Sequence, residues 1–392
     1  MNVALYIQLS VMMFLEFAVW GAWAPVLGSH LVGPLKFSGR QTGWIYATLW
    51  LGCIISPFIG GQIADRWVAT EYFLAAVHLA GGVVLMLAAR QSSFTKLFGL
   101  MGIYSLLYAP TLALVNSVMF TYVTDADRQA GPIRAAGTIG WIVAGLLLAL
   151  WRRLGRPKVS GSDALTLAAV LSFAMGVFCF FLPHTAPPES PRNPLAFVEA
   201  LKMFGDRNFL IFVVISFVVT TELQFYYVLT APFLQDLGVQ RKNVSAVMTL
   251  AQAAEVITML WLLQVFLSKF GLRWTLVVGV LAWPARYIIF AAMRPLWLVI
   301  SSLPLHGLGY TFFFFAGVMY VDKAAPADIK ASAQALITVA TLGLGNFIGT
   351  QITGAVMDLF KKDERFHWRP IFLVPCVLTI ACAAAFILFF NG

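Results

Sequence analysis

Charge is scarce in this 392-residue chain: Asp, Glu, Lys and Arg make up 11% of it. Soluble domains carry about 25%, so the shortfall excludes an ordinary globular protein in water. Cysteine is sparse as well, with Cys53, Cys179, Cys376 and Cys382 all inside apolar runs and no CxxC pair. That argues against a disulfide framework or a thiolate metal site and leaves them as small core residues. The five histidines are dispersed with no HExxH-like spacing, and no phosphate-binding glycine loop occurs. An integral-membrane enzyme and direct ATP drive are therefore disfavoured, and no cofactor or metal is expected. Long polar stretches are missing too, which leaves no room for a soluble catalytic, signalling or DNA-binding domain.

What fills the chain is apolar: 60% of residues are hydrophobic and the mean hydropathy is +0.84. Runs of about 20 residues, each long enough to cross a bilayer as a helix, recur from end to end. The spans read 4–28, 42–64, 72–90, 97–123, 132–152 and 163–183, then 208–235, 243–267, 274–293, 296–321, 330–358 and 370–391. The first is read as a retained helix and not a signal peptide, because it has no basic leader and Pro25 follows the apparent cleavage site Ala22-Trp23-Ala24. The longest polar interruption runs from His184 to Asn208 and holds Pro187, Pro188, Pro191 and Pro194, which bar a continuous helix. The expected class is an all-α polytopic membrane protein of twelve transmembrane helices. Its six-helix halves are 1–184 and 208–392, joined by a cytoplasmic linker at 185–207 with an amphipathic segment.

The halves repeat. Leu15-Glu16-Phe17 leading to Ala24-Pro25 in the first span is matched by Leu223-Gln224-Phe225 leading to Ala231-Pro232 in the seventh. Ile133-Arg134-Ala135 opens the fifth span as Ile329-Lys330-Ala331 opens the eleventh, and Val118-Met119-Phe120 with Asp125 parallels Val318-Met319-Tyr320 with Asp322. Parallel repeats place a solute site between the halves near the midplane. The net charge of +9 is scattered through short loops and reads as membrane-flanking, with lipid as the partner and no nucleic acid. With both termini cytoplasmic, most of the 26 Lys and Arg residues fall on the opposite side, so the charge bias opposes that orientation.

An ionisable side chain at the bilayer centre costs about 2.5–3.5 kcal/mol on insertion scales. Glu16, Glu222, Glu255 and Arg286 lie within spans, with His78 and His306. Gln252 and Glu255 share a helix face among alanines, suited to a hydrogen-bonding wall for a polar solute or to a helix–helix hydrogen bond. Glu222 and Gln224 point about 200° apart, so Gln224 and its repeat equivalent Glu16 are the expected cavity-facing pair. Glu222 is then expected to meet a neighbouring helix, and Arg286 an acid. Arg134, Thr138 and Trp141 form a stripe offering a cation, a hydroxyl and a ring, while Arg134 alone reads equally well as a snorkelling helix end. His306, Tyr310 and Thr311 sit in a glycine-containing span before Phe312–Phe315, phenylalanines that read as packing or lipid contact.

At these residues the chain resembles the bacterial nucleoside:proton symporters of the major facilitator superfamily. The likeness is carried by Phe14-Leu15-Glu16-Phe17 with Trp20 and Trp23, by Ala64-Asp65-Arg66-Trp67, and by Tyr108-Ala109-Pro110-Thr111 with Asn116. Pro132-Ile133-Arg134 with Gly137-Thr138-Ile139-Gly140, Glu222-Leu223-Gln224, Gln252 with Glu255, Ala282-Trp283 with Arg286, and Ala331-Ser332-Ala333-Gln334 extend it over nearly the whole chain. The Asp65-Arg66 loop is cytoplasmic in that superfamily, which implies cytoplasmic termini in the cell inner membrane against the charge count. The resemblance implies nucleoside contacts from Arg134, Thr138, Trp141, Gln224, Gln252 and Glu255, and import by alternating access. The family pattern differs at Tyr227, His306 and Thr311, where relatives carry Asn, Tyr and an acid. Thr311 cannot carry a titrating proton. The proton then falls to Glu16, Glu255 or Glu222, with Glu16 first, or coupling is lost and the chain is a facilitative carrier; a sugar:proton symporter on the same scaffold is the other alternative. The expected partners are a nucleoside and a proton, and the expected working unit is a monomer.

Overall fold

A bilayer core offers the backbone no hydrogen-bond partner, so each crossing segment must satisfy its N–H and C=O groups internally, and these apolar runs become helices. The computed structural model describes residues 2–124, 126–155, 162–187, 195–326 and 329–391, without side chains at 61, 65, 126–128 and 331. Asp125, Pro188, Pro191 and Pro194 lie outside the described residues, as do the side chains of Asp65 and Ala331.

Among the described residues, ten helical stretches are long and apolar enough to cross a membrane. One, Arg241–Ala292, holds two crossings, because Gly271 leaves helical geometry at φ 73° and ψ 176°. The apolar helix Asp163–Cys179 is shorter, at 17 residues. The twelve-helix class read from the hydropathy pattern is the one observed.

Contacts gather the chain into two units, one of Met1–Phe37, Trp44–Pro194 and Val239–Thr249, the other of Ser38–Gly43, Leu195–Gly238 and Leu250–Gly392. The first contains α1 (Val3–Trp23), most of α2 (Gly39–Ile55), α3 (Thr70–Ala88), α4 (Phe94–Tyr122), α5 (Ala126–Leu154) and α6 (Asp163–Cys179). Its tightest pairs are α1 on α5 and α3 on α6. Gly140 lets α1 and α5 meet backbone to backbone: a Cβ there would strike the Phe14 carbonyl. Leu9, Met12, Met13, Leu74, Val115, Met119, Ile133 and Met175 fill the core around these helices. At the far end of α5, Arg152 binds Asp163 through two hydrogen bonds of 2.7 and 2.8 Å.

The second unit holds α7 (Arg207–Asp236), the end of α8 (Arg241–Ile257), α9 (Leu263–Ala292), α10 (Pro304–Gly309), α11 (Ala316–Ala324), α12 (Lys330–Thr338), α13 (Asn346–Leu359) and α14 (Trp368–Phe389). Here α9 packs on α14, and α7 on α13 and α14. Three segments, Thr258–Leu262, Tyr310–Phe315 and Val339–Gly345, are π-helical. Of the four phenylalanines, Phe312 and Phe313 are buried, against Phe266 at 4.8 Å and Phe212 at 5.9 Å between ring centres.

The start of α2 is capped from α13: the Gly39 and Arg40 N–H groups donate to the Asp358 carboxylate at 2.6 and 2.9 Å. A carboxylate at a helix N-terminus satisfies orphan donors and meets the positive end of the helix dipole. Asp358→Ala is expected to cost about 1 kcal/mol, read as a lower melting temperature in detergent. An unchanged melting temperature would show that this cap contributes nothing.

Candidate functional site

In the second unit the sequence-predicted residues converge on His306. Its ring stacks on Tyr226 at 4.1 Å, with Trp283 at 5.5 Å, Tyr227 at 5.6 Å and Tyr310 at 6.1 Å. Arg286, fully buried, brings its Nη1 to 3.1 Å from His306 Nδ1. A guanidinium only donates, so Nδ1 accepts and the His306 hydrogen sits on Nε2. The same guanidinium lies 4.6 Å from the centre of Tyr226, 5.0 Å from Trp283 and 4.9 Å from Tyr287. Sequence reasoning gave Arg286 an acid as partner. The hydrogen bond Arg286 makes is instead to His306, and the main-chain carbonyl of Glu222 accepts from the Tyr287 hydroxyl at 2.9 Å.

Around this centre, Gln224 is buried on α7 and its Nε2 donates to Asn346 Oδ1 at 2.6 Å. Gln252 is buried on α8, while Glu255, one turn on, is half-buried, as are Tyr227 and Tyr310. The Thr311 hydroxyl donates to the Glu255 main-chain carbonyl at 3.4 Å, tying the π-helical turn to α8. Gly307 lies directly on the α8 backbone, where a Cβ would strike Glu255 N and Ala251 O. Buried polar atoms are nearly always hydrogen-bonded, yet Gln224 Oε1, Trp283 Nε1 and His306 Nε2 have no partner among the described residues. Donors and acceptors are thus both on offer within one aromatic-lined region. That is the chemistry a flat, hydroxyl-bearing neutral solute requires.

The first unit carries the remaining predicted residues, and it divides them. Along the α5 stripe, Arg134 is exposed, Thr138 is half-buried and Trp141 is buried. The Trp141 ring lies against Gly21 and packs edge-to-face with Trp20 at 5.2 Å, and Trp20 in turn packs edge-to-face with Trp50 at 5.8 Å. Glu16, expected to face a cavity beside Gln224, is fully buried in a polar cluster of its own. His78 Nε2 stands 2.9 Å from Glu16 Oε2, and the Thr111 hydroxyl 2.6 Å from Glu16 Oε1.

Asn346, Trp20 and the pairing of His78 with Glu16 were not assigned from sequence. A usable signal existed for two of them, since an amide or an imidazole inside an apolar span needs a partner. Nothing in the sequence marks the π-helical segments, which arise from how neighbouring helices pack.

The chain is 35% identical over 400 residues to the putative nucleoside transporter YegT of Escherichia coli K12, covering 98% of this chain and 93% of that protein. It is 29% identical over 388 residues to the xanthosine permease of the same organism, covering 94% and 91%. The crystal structure of the nucleoside transporter NupG superposes with a TM-score of 0.87 at 27% identity, covering 100% of each chain. The sequence profile of the nucleoside H+ symporters matches residues 1–392. With twelve spans, matching structure and matching sequence along its whole length, this chain belongs to the nucleoside H+ symporter family, multi-pass membrane carriers built on the major facilitator fold.

Proposed function

We propose that the chain imports nucleosides together with protons across the cell inner membrane by alternating access, acting as a monomer with both termini in the cytoplasm. Residues 1–184 and 208–392 serve as its two halves. The observation that carries the solute reading is the second unit's group of unengaged buried polar atoms, at Gln224 Oε1 and His306 Nε2, beside the half-buried Glu255, Tyr227 and Tyr310. Ribose hydroxyls both donate and accept, so Gln252, Glu255 and Gln224 suit the sugar, while the Tyr and Trp faces suit a base. Thr311 holds α8 in register and lends a hydroxyl. On the first unit, Arg134, Thr138 and Trp141 supply a cation, a hydroxyl and a ring edge. A site built on matched hydrogen bonds rejects analogues lacking the matched group, because its own polar atoms stay unpaired.

Gln252→Ala is expected to weaken nucleoside binding by about 1 kcal/mol, roughly fivefold, the worth of one neutral hydrogen bond. Unchanged affinity in a folded variant removes Gln252 from the site. Trp141→Ala should depress binding of every nucleoside while Trp141→Phe retains much of it. Equal loss in both assigns Trp141 to its packing on Gly21. Counterflow of labelled nucleosides against labelled sugars in proteoliposomes tests the substrate class. Exchange of sugars and not nucleosides overturns it.

A further inference from the structure

We infer that Glu16 and His78 together form the proton-binding site of this carrier, with Thr111 as a hydroxyl rotor that satisfies the site whether the proton is on or off. The inference rests on the proton-coupled reading above and names the group that carries the coupling. Every member is buried: Glu16 and Thr111 are 0% exposed, Ser172 1% and His78 2%.

Counting hydrogens makes the case. The Thr111 hydroxyl has a single hydrogen but two acceptors at 2.6 Å, Glu16 Oε1 and the Tyr108 main-chain carbonyl. When Glu16 is ionised, Thr111 turns its hydrogen toward Oε1. When Glu16 is protonated at Oε1, it donates to Thr111 Oγ1, which turns its own hydrogen to the Tyr108 carbonyl. Both states are hydrogen-bonded, and neither leaves a buried orphan, whose cost would lock the group in one form. His78 adds a second place for the proton. The Ser172 hydroxyl donates to the His78 carbonyl at 2.8 Å, leaving Ser172 Oγ as an acceptor 3.4 Å from His78 Nδ1. With its hydrogen on Nε2, His78 donates to Glu16 Oε2 at 2.9 Å in either state, and Nδ1, facing Ser172 Oγ, is the second position that can take the proton. On loading, an O–H bond forms on Glu16 or an N–H bond on His78; on release that same bond breaks and the proton leaves to water.

The surroundings suit this assignment. Among the described residues, Tyr104 and Tyr108 from α4 and Cys179 from α6 are titratable groups on which Glu16 acts. Tyr108 donates to the Glu16 main-chain carbonyl at 2.8 Å, so it fixes α1 without consuming a carboxylate oxygen. From α5, which packs along α1, Arg134 is exposed. Among the described residues, the Glu16 carboxylate meets His78 and Thr111 and no Lys or Arg within ion-pair distance.

Glu16→Gln tests the site with little risk to the fold. Its amide nitrogen can donate to Thr111 and its carbonyl can accept from His78, the pattern of the loaded state frozen in place. In proteoliposomes, Glu16→Gln should keep nucleoside counterflow within about twofold of wild type and lose pH-gradient-driven accumulation tenfold or more. Thr111→Val should move the pH profile of uptake by about one unit, and Thr111→Ser should restore it. His78→Gln should also move that profile, because the proton loses one of its two resting places. Accumulation surviving in Glu16→Gln, or profiles unmoved by both Thr111→Val and His78→Gln, overturns the assignment. An infrared titration without solute separates this inference from the transport reading. A carboxylic-acid band that titrates in wild type and vanishes in Glu16→Gln supports the site even if the solute is not a nucleoside. Absence of such a difference sinks the site even if nucleosides are carried.

Discussion

Replacing Arg286 with methionine is expected to destabilise the protein by about 2–4 kcal/mol, through loss of a buried charged hydrogen bond and of the ring contacts around it. Arg286 is fully buried, touches His306 Nδ1 at 3.1 Å, and is enclosed by Tyr226, Trp283 and Tyr287. Removing it abandons four cation–ring contacts, the fourth to Phe290 at 5.7 Å, and leaves nearby Glu222, whose carboxylate oxygens have no hydrogen-bond partner among the described residues, without a cation acting on it. Adding Glu222→Gln to Arg286→Met should recover part of the loss, because a buried carboxyl is costlier without a cation acting on it. Thermal melting in detergent of the single and double variants measures this. An additive double variant would show that Glu222 and Arg286 act independently.

The second large effect is expected at Gly307. A Cβ there would drive into Glu255 N and Ala251 O, which are backbone and cannot swing aside. Gly307→Val must push α10 off α8, moving His306 relative to Gln252 and Glu255 on the neighbouring helix. Overpacking of this kind costs about 1–3 kcal/mol, and the displacement should reduce nucleoside transport tenfold or more in whatever protein folds. Gly102→Ala is the control, since nothing lies within 4 Å of a Cβ at that position. Equal transport in the two variants would show that the α8–α10 contact does not set the site.

The helices were legible because a single physical constraint, the apolar run needed to cross a bilayer, writes itself into the local sequence. The break at Gly271 falls between the spans read as 243–267 and 274–293, where a glycine interrupts the apolar run. The choice of Gln252, Glu255 and His306 as polar residues inside apolar spans came from the same reasoning. Partnerships were harder. Glu16 and Gln224 occupy equivalent repeat positions, yet their neighbours differ: one meets His78 and Thr111, the other Asn346. A helical wheel gives direction but not the helix that waits there, and His78 lies 62 residues from Glu16. The Asp358 cap on α2 spans 319 residues and leaves no local pattern at all. Arg134 illustrates the same limit, because a cation just inside a span fits an exposed helix end and a solute contact equally well.

This chain is proposed to move a nucleoside uphill with a proton. The direct measurement is uptake of a panel of purine and pyrimidine nucleosides by wild-type proteoliposomes, with an acidic exterior and with no pH gradient. The account predicts accumulation above the outside concentration only under the gradient, abolished by a protonophore and accompanied by alkalinisation of the medium. Equilibration to the same level with and without the gradient would contradict it and make the protein a facilitative carrier.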